Sequence, residues 1–126
     1  MNSAVMVVED EPLIRFVLVD ALEDMGLQII EAASALEAVG LLSTHPEIGV
    51  VFTDVDMPGG LNGIELAKLV ADVYPQTGIL VTSGRYYDVE KKLPPGAHFL
   101  PKPYSLSIIH EHVLSLMPDR RRKAAT

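Results

Sequence analysis

Short apolar runs, each followed by a segment whose apolar residues repeat with helical period, constrain this chain more than any other feature. The runs are "AVMVV" (4–8), "LQIIEA" (27–32), "IGVVFT" (48–53), "GILVT" (78–82) and "AHFL" (97–100). Strands alternating with helical crossovers build a parallel sheet with helices on its faces. The near-continuous Val and Ile of the first, third and fourth runs suit central strands covered on both sides. The expected fold is therefore α/β, a doubly wound five-stranded parallel sheet.

The intervening segments carry their own start and stop signals. A helix begins at Pro12 and stops at Gly26, with Ile14, Val17, Leu18, Ala21 and Met25 on one face. Ser34 and Glu37 have the spacing of a capping box and open a helix that ends before Pro46. Leu66, Leu69, Val70 and Val73 recur at i, i+3, i+4 and i+7, closed by Pro75. Ser105 caps a last helix whose Ile109, Val113 and Leu116 face inward. Between the fourth and fifth strands, "SGRYYDVEKKLPPGA" offers only Asp88 to Pro94 as helix, with no apolar stripe. The fourth helix is expected to be short or degraded.

With 126 residues, the chain suits one domain, here residues 1–118, followed by a basic tail, 119–126. The tail holds "DRRRK", which reads as a solvated end or, less simply, as a docking or nucleic-acid contact. A composition of 48% hydrophobic and 21% charged residues places the chain among folded proteins. No apolar run reaches the roughly eighteen residues that a membrane span needs, and the N-terminus lacks a secretory pattern. Cysteine is absent, which excludes disulfides, thiolate zinc sites and a cysteine nucleophile. A cytoplasmic address fits. The net charge of −7 argues against a nucleic-acid surface over the domain.

In an open parallel sheet, ligands sit outside the carboxyl ends of the strands. Strand one delivers Glu9, Asp10 and Glu11 there; strand three delivers Asp54 and Asp56. Strand four delivers Thr82 and Ser83, followed by Gly84, and strand five delivers Lys102 in "PKPY". Carboxylates gathered in one crevice repel one another unless a cation intervenes. Oxygen-only ligands select Mg²⁺ over zinc. A lysine, a hydroxyl and a Mg²⁺-bound carboxylate would fit the three peripheral oxygens of a phosphoryl group, and an Asp can itself be the nucleophile.

With those residues in this order, the chain resembles a response-regulator receiver domain of two-component signalling, from residue 4 to about 117. The motifs are Glu9-Asp10 in "VVEDEP", Asp54 in "FTDVDMPGGLNG" with Met57-Pro58 and Gly63, Ser83-Gly84 in "VTSG", and Lys102-Pro103. The resemblance implies a flavodoxin-like sheet of order 2-1-3-4-5 and a set of roles. Asp54 would be the phosphoacceptor. Asp10 and Asp54 would ligate Mg²⁺, Glu9 would act through water, and Asp56 would offer its backbone carbonyl. Lys102 would pair with Asp54 and then with the phosphoryl oxygens, and Ser83 would hydrogen-bond the phosphoryl group; alternation along the strand favours Ser83 over Thr82. Gly84 would leave the acceptor reachable, and a cis bond before Pro103 would aim Lys102 inward. Glu11 receives no role, and the four histidines read as surface or core residues.

The resemblance also shows departures. "PGGLNG" is one residue longer than the common loop, and Asn62 stands where an Asp is frequent. Lys102 follows Ser83 at shorter range than usual, which curtails helix four. The switch position in strand five holds Phe99, not Tyr, with Tyr86, Tyr87 and Tyr104 as nearby substitutes or plain packing residues.

The implied function is to take a phosphoryl group from a sensor histidine kinase or histidine phosphotransfer protein and to alter binding of a downstream protein. The chain would be a stand-alone regulator or phosphorelay intermediate, or a receiver excised from a hybrid kinase or longer regulator. It would not be an enzyme beyond promoting its own phosphorylation and dephosphorylation. A homodimer is a further expectation; direct nucleic-acid binding and membrane insertion are not. The competing class is a haloacid-dehalogenase-type phosphatase, since "FTDVDMP" contains its Asp-x-Asp pattern. That pattern usually lies on a first strand and needs a later acidic motif, which is missing after strand four. A binding module that has lost phosphorylation is opposed by the intact Asp10, Asp54 and Lys102.

Overall fold

The computed structural model describes residues 3–84 and 88–118. The elements run β1 (Ala4–Val8), α1 (Pro12–Asp24), β2 (Gln28–Ala32), α2 (Ala35–Thr44), β3 (Ile48–Asp54), α3 (Gly63–Val73), β4 (Gly78–Ser83), α4 (Val89–Lys92), β5 (His98–Pro101) and α5 (Leu106–Leu116). All strand pairings are parallel, and the sheet order is β2-β1-β3-β4-β5, as the resemblance implies.

Burial follows strand position. Every residue of β1, β3 and β4 is buried, whereas β2 and β5, at the edges, are partly open. Alternate side chains therefore feed two cores. One lies under α2, α3 and α4 and contains Met6, Val8, Val51, Val81, Leu66, Val70 and Val89. The other lies under α1 and α5 and contains Val5, Val7, Phe52, Leu80, Leu22 and Ile109. Burying each such aliphatic side chain contributes about 1.5–3 kcal/mol, which is what holds the helices to the sheet.

Two helices turn a different face inward from the one their spacing predicts. On α1, Leu18 is buried as expected, but so are Val19 and Leu22, while Val17 is 53% exposed. On α3, Gly63, Leu66, Ala67 and Val70 form the buried stripe, and Val73 lies outside it. In both cases the helix is apolar over more of its circumference than its core contact requires, so spacing alone leaves the rotation open. On α5, Ile109, Val113 and Leu116 are buried as predicted. The fourth helix is shorter still than the stretch from Asp88 to Pro94, with four residues. The basic tail from Asp119 and the Tyr86–Tyr87 pair lie outside the described residues.

Candidate functional site

The parallel register brings the strand ends together. Val8 pairs with Thr53, Asp54 with Thr82, and Ser83 with Pro101. The residues just beyond β1 and β5 thus flank Asp54 at the point where strand order reverses, between β1 and β3.

Asp54 is a buried carboxylate, 7% exposed, and each of its oxygens has a donor. Lys102 Nζ lies 2.7 Å from Oδ2, and the Asp56 backbone N–H donates to Oδ1 at 3.1 Å. The ammonium pairs with the acid across the gap from β3 to β5. Burial pulls the Lys102 pKa down, and the hydrogen bond and charge of Asp54 more than offset it, so the ammonium is held above its ordinary value. The peptide bond between Lys102 and Pro103 is cis.

Glu9 is buried, at 5% exposed. Burial raises its carboxyl pKa; the Glu11 backbone N–H, donating to Oε2 at 3.1 Å, opposes that, and Asp10 and Asp54 push it further up. Three acids thus feel one another at this edge, the conflict that a hard cation relieves. No group of three or more His, Cys, Asp or Glu able to hold a metal ion occurs among the described residues. Mg²⁺ is commonly bound through one or two carboxylates and keeps several waters.

Ser83 is fully buried and its hydroxyl donates to Asp56 Oδ2 at 3.4 Å, so the two residues meet at rest. Thr82, also buried, has no hydrogen-bond partner for its hydroxyl among the described residues. Phe99 and Tyr104 end on opposite faces of the sheet. Phe99 packs against the α2–α4 core and lines an open cavity of about 500 Å³ with Glu90, Pro101, Lys102 and Pro103. Tyr104 sits in the α1–α5 core, edge-on to Phe52 at 6.2 Å. The sheet separates them, so Tyr104 is a packing residue and not a stand-in for the switch position. Burial raises the Tyr104 pKa, with Lys102 opposing.

The residues missed in the sequence are those that hold the loop after Asp54. Asn62 and Glu65 form a complete capping box: Asn62 Oδ1 accepts from the Glu65 N–H at 2.9 Å, and Glu65 Oε1 accepts from the Asn62 N–H at 3.0 Å. The same spacing at Ser34 and Glu37, where Ser34 Oγ accepts from the Glu37 N–H but Glu37 Oε1 accepts from the Ala33 N–H, could have suggested it. Gly63 has a steric reason to be glycine. A Cβ there would overlap the Asp54 carbonyl oxygen and lie 2.7 Å from Val55 Cα.

Fold and edge together define a class, an α/β module with an acidic crevice at its strand ends and one lysine braced against a buried Asp. Residues 5–114 match the response regulator receiver domain family, and the chain belongs to it. It is therefore a receiver domain of the two-component signalling type. It is 35% identical over 109 residues to the sensor kinase CckA of Brucella abortus, a match covering 83% of this chain and 11% of that protein. It is 29% identical over 122 residues to sporulation initiation phosphotransferase F of Bacillus subtilis, covering 94% of this chain and 96% of that one. The chain also spans only 13% and 48% of two other curated relatives, the sensor protein TorS and the regulator PhyR. Among solved structures, the response regulator TrrA of Thermotoga maritima in complex with Mg²⁺-BeF superposes with a TM-score of 0.82 at 24% identity, covering 91% of this chain and 99% of that one, a likeness of fold.

Proposed function

We propose that Asp54 accepts a phosphoryl group from a phosphohistidine of a sensor kinase or a histidine phosphotransfer protein, and that the product alters binding to a downstream protein. The carrying observation is the Lys102–Asp54 contact of 2.7 Å, a lysine on the β5 edge braced against the one buried aspartate of β3.

One Asp54 carboxylate oxygen attacks phosphorus in line with the bond to the histidine nitrogen. That P–N bond breaks, and its electron pair leaves with the imidazole, neutral when its other nitrogen already carries a proton. The product is an acyl phosphate. Asp10, Asp54 and the Asp56 carbonyl would hold Mg²⁺, with Glu9 acting through water, as the resemblance implies. Bound there, Mg²⁺ supplies charge neutralisation for the carboxylates and the incoming phosphoryl oxygens. Lys102, paired with Asp54 at rest, turns to a phosphoryl oxygen as the Asp54 charge is consumed.

Ser83 is the switch. Its hydroxyl leaves Asp56 for the phosphoryl group, and the cavity beside Phe99 gives that ring room to shift. The donor protein docks on the exposed apolar face at the start of α1, where Leu13 and Phe16 are 75% and 66% exposed beside the acidic edge. Passing the group onward as a relay intermediate suits a chain that matches a protein named a phosphotransferase over 96% of its length.

Incubation with Mg²⁺ and acetyl phosphate, followed by intact mass, tests the acceptor. The wild type should gain one phosphoryl group and Asp54→Ala none. A gain that survives in Asp54→Ala, or no gain in the wild type, removes Asp54 from the role. Steady release of phosphate from varied esters would point instead to the phosphatase class.

A further inference from the structure

Arg15 lies in the first turns of α1, where a positive charge opposes the helix dipole and gains nothing from it. Its side chain leans back toward the helix N-terminus, as long helical side chains do, and reaches past it. There Nη1 donates to the Glu9 carbonyl oxygen at 2.7 Å, and Nε donates to Glu31 Oε1 at 3.2 Å. Glu31 is 53% exposed, so the ion pair itself contributes little to stability. The bond to the carbonyl is the shorter and more sheltered of the two.

Its position gives it leverage. The Glu9 N–H already donates to the Ala32 carbonyl at 3.0 Å, so both backbone groups of Glu9 are pinned, one to β2 and one to α1. The Glu9 carbonyl shares its peptide plane with the nitrogen and Cα of Asp10. Holding that oxygen fixes the plane from which the Asp10 side chain leaves. Without the guanidinium, the peptide after β1 could rotate, and Asp10 and Glu9 would move with it.

We propose that Arg15 is a positioning residue for the divalent-cation site, a strut from α1 and the end of β2 that presets Asp10 and Glu9. This rests on the proposed phosphoacceptor function. Positioning and plain charge make opposite predictions. Removing a positive charge beside a cation site should tighten cation binding by Coulomb's law, whereas removing a strut should weaken it. Loss of an outer partner of a metal ligand typically costs 10–100-fold in affinity, and the low end, about tenfold, is expected here.

The test is a Mg²⁺ titration of the unphosphorylated 126-residue chain, followed through backbone amide resonances at the β1–α1 turn. Arg15→Met keeps the aliphatic stem and removes both donors, while Arg15→Lys keeps the charge and one donor able to reach the Glu9 carbonyl. Thermal unfolding confirms that each variant is folded, with Arg15→Ala standing in should the Met variant not fold. The expected result is a Mg²⁺ affinity about tenfold weaker in Arg15→Met and substantially restored in Arg15→Lys. Unchanged or tighter binding in Arg15→Met, or Arg15→Lys as weak as Arg15→Met, overturns the strut. A wild type that binds no Mg²⁺ and takes no phosphoryl group would instead sink the proposed phosphoacceptor function, so the two failures are separable.

Discussion

Helices α3 and α4 both carry the chain away from the carboxyl edge of the sheet, yet they are anchored very differently. α3 has 11 residues, a complete capping box and a buried stripe of Gly63, Leu66, Ala67 and Val70. α4 has four residues, and its N-cap, Asp88, makes no side-chain cap bond and sits at φ 65° in the left-handed region. Val89 is its only buried residue. The acceptor strand is thus followed by a clamped helix, while the strand bearing Ser83 is followed by a helix with one buried residue and no side-chain cap. Stability within one domain need not be uniform, and segments that move are drawn from its weaker end. Under the proposed function, a firmly anchored acceptor beside a lightly anchored helix is the division that a phosphorylation switch needs.

The same chemical change at two glycines of this edge gives the largest test of that contrast. A methyl group on Gly63 would collide with the backbone of Asp54 and Val55, which cannot give way as a flexible side chain would. A methyl on exposed Gly84 meets nothing within 4 Å among the described residues. Urea unfolding should show Gly63→Ala losing about 1–3 kcal/mol, the range for overpacking. Gly84→Ala should stay within about 0.5 kcal/mol of wild type. Equal losses at the two positions would mean that Gly63 is no more closely packed than Gly84.

The contrast was half legible in the sequence. The five strands followed from apolar runs, and the four strand-end motifs from residue types that make little sense apart, such as Lys102 between prolines; the strand order came only through the resemblance those motifs carry. The curtailed fourth helix was visible as a stretch without an apolar stripe. The clamp on the other side was not. Gly63 was only a motif letter, because a steric requirement set by the Asp54 carbonyl appears only when loop and strand are folded together. Arg15 was silent for the same reason: its partners, the Glu9 carbonyl and Glu31, are brought near by the sheet and not by helical spacing. Tyr104 and Phe99, close in sequence, were separated by strand alternation across β5 and its exit.

Glu9 offers a smaller, pH-dependent test of the clamped side. Burial raises its folded pKa, so the folded chain binds that proton more tightly than the unfolded chain does. The group's contribution is therefore most favourable at low pH. It is lost as pH rises from the ordinary carboxylate range through the raised folded value, and it stays lost above. Other acids titrate nearby, so the quantity to measure is the difference in unfolding free energy between wild type and Glu9→Gln. That difference should move against the wild type as pH rises through this window. Mg²⁺ at about ten times its dissociation constant should return about 1.4 kcal/mol to the wild type at neutral pH and less on acidification, where protons compete. A wild-type chain that gains on Glu9→Gln as pH rises would mean the carboxylate is better solvated in the fold than its burial implies.

The capping box of α3 is the finest probe, because it separates two ways of clamping the same turn. Asn62→Ala removes the acceptor for the Glu65 N–H and should cost about 1 kcal/mol in urea unfolding. Asn62→Asp keeps an acceptor and adds a negative charge at a helix N-terminus, so it should stay within a few tenths of a kcal/mol of wild type, roughly. Ser34→Ala, which removes the comparable bond to the Glu37 N–H at 3.1 Å on α2, calibrates a cap remote from the acceptor. If Asn62→Ala also slows acetyl phosphate labelling of Asp54 while Ser34→Ala does not, the cap sets the geometry of the acceptor turn. If both variants lose stability alike and label at the wild-type rate, the Asp54 exit is held by the backbone contact at Gly63 alone.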